Sequence, residues 1–296
     1  MPVTRAILDA VPTEPGTGER RPAPGPLAAL RGAPERAAVL TDVDGTLAPI
    51  VARPERAAVP PRAREALLRL SERYALVGCI SGRRAEEARR LVGVEGIAYA
   101  GNHGLELLLP GEAEPRLSLA LAGHESAAVD FLAALGAGAP GEAGLRVEDK
   151  GPIQALHWRS SGEAAGGKGA GGGSDEEAAA EARAHDVADA AERAGLVTHW
   201  GRKVLELRPA VRIGKDSAVG ALLAGGDFGA AAYAGDDRTD LDAFRRLREL
   251  RETGALEAAV CVAVASAEAP PGLAEGADLI VDGPGGWLEI LEWLAG

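Results

Sequence analysis

Asp42 and Asp44 stand two residues apart in TDVDGT, directly after the apolar run AAVL at 37–40. Paired carboxylates at the carboxyl end of a strand occupy the place where parallel α/β sheets put their ligands. This spacing suits phosphoryl transfer: Asp42 attacks phosphorus and carries it as an aspartyl phosphate, while Asp44 protonates the leaving oxygen and then takes a proton from the attacking water. The competing reading is a solvated turn, because Asp, Gly and Thr are all turn formers. On these residues alone both readings stand.

The elements around the pair follow a strand, loop, helix rhythm. Pro60 and Pro61 open a helical run, RAREALLRLSERY; ALVGCI (75–80) predicts a second strand ending at SGRR; IAYA (97–100) predicts a third, ending at Gly101-Asn102-His103-Gly104. Such alternation marks βαβ units and a parallel sheet. From about residue 105 the pattern becomes hairpin-like, with LRVEDKG and IQALHWR, then LVTHW and KVLELRP, set around a helix near 121–135. After Pro209 the first rhythm returns through GKDSAVGALLAG, AAYAGDD, TDLDAFRRLREL, AAVCVAV and DLIVD to a closing helix, GGWLEILEWL. The expected architecture is α/β: a Rossmann-like parallel-sheet core over 25–104 and 210–296, interrupted by an inserted α+β cap domain at 105–209. Residues 1–24, rich in Pro, Gly, Glu and Arg, read as a disordered tail, and 160–182 as a flexible Gly-rich insertion.

The 296 residues include 32 basic and 44 acidic side chains, a net charge of −12. That balance repels phosphate backbones and anionic lipid, so neither nucleic acid nor a membrane surface is an expected partner, and an anionic substrate needs a local positive site. No apolar run approaches the roughly 18 residues of a membrane-spanning helix. Cys79 and Cys261 lie inside apolar runs and read as small core hydrophobes, and the N-terminus lacks a basic region followed by an apolar stretch. A reducing, cytoplasmic setting is the expectation.

Four segments in order resemble the motif set of the haloacid dehalogenase superfamily of phosphohydrolases. They are DVDGTL (42–47), CISGR with Ser81, RIGKDSA with Lys215, and YAGDDRTD with Asp236, Asp237 and Asp240. The resemblance implies catalysis by Asp42, Asp44 and Lys215. It further implies a Mg²⁺ held by the carboxylates of Asp42 and Asp236 and the backbone carbonyl of Asp44, with Asp237 as a further ligand and Asp240 as a ligand or support. By the same resemblance Thr46, Ser81 and Gly82 are expected to bind the phosphoryl oxygens, and Lys215 to offset the charge of Asp42 and the phosphate together. The physical demand agrees, since phosphoryl transfer is carried by positioning and by stabilising charge on the equatorial oxygens.

The insert resembles the C2-type caps of the superfamily. GNHGLEL (101–107), VEDKGPIQALHWR (147–159) and GRKVLELRP (201–209) are similar to segments of its trehalose-phosphatase family. That implies trehalose 6-phosphate as substrate, hydrolysed to trehalose and phosphate, with Glu148, Lys150, His157, Arg202 and Glu206 facing the disaccharide. The same resemblance implies that Arg83, Asn102 and His103 lie near the substrate and names a trehalose-phosphate synthase as a candidate partner. Two positions depart from the family pattern: Arg202-Lys203 stands where the family usually has Lys before the second cap strand, and the GDD motif continues as Asp240-Leu241-Asp242, where many members carry Glu after the Asp. Trp200 is a candidate for stacking on a sugar ring. Alternation in KVLELRP equally allows Val204, Glu206 and Arg208 to share a face with Glu206 in a surface ion pair. Related sugar phosphates (sucrose, mannosylglycerate or glucosylglycerate phosphate) and a non-catalytic sugar-phosphate-binding role are the alternatives.

Overall fold

The structure is a computed structural model that describes residues 6–7, 25–51, 56–118, 121–135, 144–158, 173–201, 203–211, 214–266 and 269–296. Its chain divides into two compact units, one of Met1–Leu117 with Ile213–Gly296, the other of Ser118–Arg212.

The first unit holds strands β1 (Ala6–Ile7), β2 (Ala37–Thr41), β3 (Leu76–Ile80), β4 (Ala98–Gly101), β5 (Glu106–Leu108) and β6 (Arg116–Leu117), and helices α1 (Ala28–Gly32), α2 (Pro61–Ser71) and α3 (Ala85–Val92). The second unit contributes α4 (Ala127–Ala134), β7 (Arg146–Lys150), β8 (Ile153–His157), α5 (Gly173–Arg193), β9 (Val197–Gly201) and β10 (Val204–Arg208). The chain then returns to the first unit with α6 (Lys215–Leu223), β11 (Ala230–Gly235), α7 (Asp240–Glu252), β12 (Ala258–Ala265), β13 (Leu279–Asp282) and α8 (Gly283–Ala295).

The nine strands of the first unit form one sheet in the order β1-β13-β12-β11-β2-β3-β4-β5-β6. All neighbours from β1 to β4 run parallel, while β5 and β6 add antiparallel at the end. Both faces are covered, which is why these strands read as unbroken apolar runs. Ala37 and Val39 of β2 join a core with α1, α2, α3 and α8, whereas Ala38 and Leu40 join one with α6 and α7. The chain leaves β2 toward β3 on one side and re-enters as β11 on the other, so the β2–β11 pair is the topological switch point, where α/β sheets open a crevice for ligand.

The second unit is a four-stranded antiparallel sheet, β7-β8-β10-β9. Leu156, Trp158, Leu205 and Leu207 pack from one face onto Ala180, Ala184, Val187, Ala188 and Ala191 of α5.

Two expected boundaries shift. The insert was expected to begin at 105, but β5 and β6 pair with the core sheet, and the second unit starts at Ser118 and ends at Arg212. The antiparallel LELLL and RLSLA segments are a sheet-edge hairpin of the core, indistinguishable by pattern from one in a separate module. Within the expected tail, Ala6–Ile7 pair in parallel with β13, and the rest of 1–24 lies outside the described residues. Of the expected insertion at 160–182, residues up to 172 lie outside the described residues, and α5 begins at Gly173.

Candidate active site

Asp42 follows β2 directly, and its N–H donates to Ala234 O of β11 at 2.8 Å, which fixes the residue at the switch point. The next turn is closed by main-chain bonds from Gly45 N to Ala48 O (2.7 Å) and from Leu47 and Ala48 N to Val43 O (3.0 and 2.8 Å). Gly45 has φ +94°, and a β-carbon there would overlap the Asp236 carboxylate, so glycine is required twice over. Asp236 stands just beyond β11 and accepts the Thr46 hydroxyl at 3.0 Å.

Lys215, the first residue of α6, is 1% exposed. Its ammonium donates to Asp42 Oδ1 (2.7 Å) and Asp240 Oδ1 (2.6 Å), with Asp237 Oδ1 at 3.7 Å. Burial alone would push this lysine down, but Asp240, Asp42 and Asp237 outweigh it and hold it charged. Asp240 is fully engaged: Oδ1 also accepts the Tyr233 hydroxyl (2.5 Å), and Oδ2 accepts the N–H groups of Asp236 and Asp237, both at 2.9 Å. Removing one partner of so buried an ion cluster costs about 3–5 kcal/mol.

Asp42 and Asp236 carry the excess negative charge. Burial raises Asp42 well above the usual carboxylate range despite Lys215. Asp236 is pushed up to about 6 by burial and the neighbouring Asp240 charge, against the Thr46 hydrogen bond. Ligand oxygens of Asp42, Asp236 and Asp240 lie within 4.8 Å of one another. Since Asp240 is saturated, the donors left are Asp42 and Asp236. Buried, oxygen-only and short of positive charge, they fit a hard divalent cation, which needs few carboxylates when water and phosphate complete its shell.

Asp237, expected as a further ligand, has one carboxylate oxygen engaged locally. Its Oδ1 accepts from Thr239 N (2.8 Å), Thr239 Oγ1 (2.7 Å) and Asp240 N (3.2 Å) at the start of α7. Burial would raise it, but Lys215 and these donors bring it to about 2.

Ser81 and Gly82 follow β3. Ser81 Oγ accepts Arg83 N at 3.1 Å, and a β-carbon at Gly82 would come within 2.9 Å of the His103 ring. Arg83 forks onto both oxygens of Asp44, Nε to Oδ2 at 2.7 Å and Nη2 to Oδ1 at 2.8 Å, while Nη1 reaches Glu87 at 2.6 Å. Asn102 and His103 are left-handed, with φ 48° and 57°. Such strain at non-glycine residues costs on the order of 1–3 kcal/mol each and concentrates at functional sites.

On β7 and β10 the face away from α5 carries the charges. Lys150 Nζ meets Glu206 Oε1 at 3.0 Å, Arg208 meets Glu206 Oε2 through Nε (3.1 Å) and Nη2 (2.6 Å), and His157 Nε2 lies 2.6 Å from Glu148 Oε2. Burial pushes Glu206 up, yet Lys150 and Arg208 together bring it to about 2. Burial pushes His157 down, against the pull of Glu148.

A family model described as trehalose-phosphatase matches residues 40–270. The chain belongs to the trehalose-phosphatase family. It is 32% identical over 240 residues to a trehalose 6-phosphate phosphatase of Zea mays, covering 76% of this chain and 62% of that protein. It is 35% identical over 215 residues to a trehalose-phosphate phosphatase of Mycobacterium bovis, covering 70% and 50%. The chain thus spans between half and two thirds of the length of these two relatives. Its fold matches the C-terminal domain of the C. albicans trehalose-6-phosphate phosphatase with a TM-score of 0.64 at 23% identity, over 93% of this chain and 98% of that one.

Against the residues expected for a trehalose-phosphatase family member, the core unit brings together Asp42, Asp236, Thr46 and Lys215, and separately joins Asp44 to Arg83 and Gly82 to His103. The second unit joins Lys150 with Glu206 and Glu148 with His157. Arg202 lies outside the described residues. Lys203 is paired with Glu177 of α5 at 2.9 Å. Trp200, opposite Leu205 on the helix-packed side of the sheet, stacks on His185 at 4.3 Å between ring centroids, so the indole is engaged there rather than on the charged face.

Sequence reasoning missed the roles of Tyr233, Trp287 and Glu106, and offered that of Arg208 only as one of two alternatives. Tyr233 and Arg208 orient Asp240 and Glu206. Trp287 donates its indole N–H to Thr41 Oγ1 (3.0 Å), whose hydroxyl donates to Asp42 O (2.8 Å). Glu106 is 2% exposed. Its signal was present: a lone acid in GLELLL, spaced by two from an apolar residue, is a charge on a buried face.

Proposed function

We propose that the chain is a metal-dependent phosphatase that hydrolyses trehalose 6-phosphate to trehalose and phosphate. The observation that carries this reading is the buried Asp42–Lys215–Asp240 cluster with Asp236 at the β2–β11 switch point, in a member of this family. Asp42 attacks phosphorus, the ester P–O bond breaks, and Asp44 gives the leaving sugar oxygen its proton. Asp44 then takes a proton from water, whose oxygen attacks the phosphoryl group and frees Asp42. Arg83 takes one lone pair on each Asp44 oxygen and orients the carboxyl, leaving a second lone pair on each for the proton.

Thr46 and Ser81 supply hydroxyl donors, and Lys215 balances the charge that Asp42 and the phosphoryl oxygens bring together. The metal ion, read as Mg²⁺, would be held by the carboxylates of Asp42 and Asp236 and the Asp44 carbonyl, and when bound it neutralises phosphoryl charge. In the second unit Glu148, Lys150, His157 and Glu206 present donors and acceptors suited to sugar hydroxyls. Two buried free thiols, Cys79 and Cys261, agree with a cytoplasmic setting, and a trehalose-phosphate synthase is the partner expected to supply the substrate.

The test is phosphate release from trehalose 6-phosphate with and without Mg²⁺, beside sucrose, glucose and glucosylglycerate phosphates. Metal-dependent release confined to trehalose 6-phosphate supports the whole reading. Release from another member of the panel overturns the substrate and keeps the chemistry, and release from none overturns both.

A further inference from the structure

Glu106 in β5 has no part in the chemistry above, yet its buried carboxylate ties together the two loops that carry much of it. Oε2 accepts Ala85 N at 2.9 Å, the first N–H of α3, a helix whose cap residue Arg84 makes no side-chain cap bond. Oε1 accepts Asn102 Nδ2 at 3.1 Å, and Arg84 Nε lies 3.6 Å away. The same two loops are laced through the main chain, by Asn102 N to Arg83 O (2.7 Å) and His103 N to Ser81 O (2.9 Å). A β-carbon at Gly101 would overlap the backbone of Arg84 and Ala85, so the strand end lies directly on the 81–84 turn.

We propose that Glu106 is a positioning residue for the phosphoryl-binding loop. It caps α3 from a distance, pins the strained Asn102–His103 pair beside it, and so fixes the 81–84 turn that presents the Ser81 hydroxyl and the Arg83 fork on Asp44. This rests on the phosphatase reading of that loop. The chemistry asks for a carboxylate in particular: both oxygens act only as acceptors, from a main-chain N–H and an amide N–H. Glutamine has one acceptor and would turn a donor toward one of the two. Glu106→Gln therefore breaks one link while preserving volume, and Glu106→Ala breaks both.

The experiment compares wild type, Glu106→Gln and Glu106→Ala in kcat and KM on trehalose 6-phosphate and p-nitrophenyl phosphate, in inhibition by vanadate, and in melting temperature. Expected for Glu106→Gln, with the protein folded at assay temperature, is a loss of about tenfold in kcat/KM on both substrates alike, as misplacement by a fraction of an ångström produces. Vanadate inhibition should weaken by a similar factor. A folded Glu106→Gln with wild-type kcat and vanadate inhibition overturns the proposal, as does a variant whose only change is a lower melting temperature. If Glu106→Ala does not fold, the glutamine variant decides. A wild type that hydrolyses only the aryl phosphate overturns the sugar assignment and leaves this test intact on that substrate. A wild type that neither turns over nor binds vanadate overturns the phosphatase reading and this proposal with it.

Discussion

The charged clusters of the two units are built on opposite principles. In the core unit Asp42, Asp236, Asp240 and Lys215 sit at strand ends and helix starts, each 4% exposed or less, with two main-chain N–H groups aiming the central Asp240 carboxylate. In the second unit Glu206 at the middle of β10 and Lys150 and Arg208 at the last positions of β7 and β10 stand on the face away from α5, partly open to water and held mainly by one another. A cluster fixed by backbone in low dielectric tolerates no loss of a member, because its partners are left buried and unpaired. A cluster of mutually paired side chains on a sheet face can exchange those partners for hydroxyls of a ligand. The first arrangement suits bond-breaking and the second suits recognition, and substitutions should separate the two.

The largest effect belongs to the core. Asp42→Asn removes the proposed nucleophile and should abolish phosphate release from every substrate while leaving the fold unchanged by circular dichroism; turnover persisting in that variant removes Asp42 from the mechanism. Lys215→Ala leaves Asp42 and Asp240 without their shared cation and should lower unfolding free energy by about 3–5 kcal/mol. Chemical denaturation measures it, and the deficit should shrink as pH falls, since protonation relieves the stranded carboxylates. A third variant, Arg83→Gln, frees Asp44 from its fork. It should lower kcat by roughly 10–100-fold, equally on trehalose 6-phosphate and an aryl phosphate, as expected for misplaced acid–base chemistry. An effect confined to the sugar substrate would move Arg83 from the chemistry to sugar binding.

The same contrast explains what could be read from the residues beforehand. The parallel core and its four motifs were legible because each motif is a contiguous stretch at a strand end, where local pattern and chemistry coincide. The charged face of the second unit was half legible. Alternation in KVLELRP offered the side of the sheet that Glu206 takes, but its pairing with Lys150, 56 residues away, depends on β7, β8 and β10 being neighbours, which no local pattern states. The setting of Asp237 was illegible for a related reason: adjacent to Asp236 in GDD, it has one oxygen drawn onto the N–H groups that open α7. The core boundary was misplaced at 105 because an edge hairpin has the same signature whichever sheet it joins.

Smaller effects belong to the second unit. Glu206→Ala should raise KM for trehalose 6-phosphate by roughly 10–100-fold, the worth of hydrogen bonds to a charged group, with little change on a small aryl phosphate. Equal effects on both substrates would erase the division of labour between the two clusters.

The smallest effect is a pH signature of how Glu206 is held. Its carboxyl lies at about 2 in the folded chain against an ordinary 4.5, because Lys150 and Arg208 outweigh its burial. A carboxylate depressed by folding binds its proton more readily in the unfolded chain, so its stabilising contribution is complete above about pH 4.5 and drains away as pH falls toward 2. Glu206→Gln has no such proton to take up. The difference in unfolding free energy between wild type and Glu206→Gln should therefore be flat from pH 7 to 5 and then shift against the wild type by on the order of 1–3 kcal/mol on further acidification. A difference that stays constant through that window would mean that Lys150 and Arg208 do not hold Glu206 in solution. The second cluster would then be a set of charges sharing a face, with no preformed site for a sugar to enter.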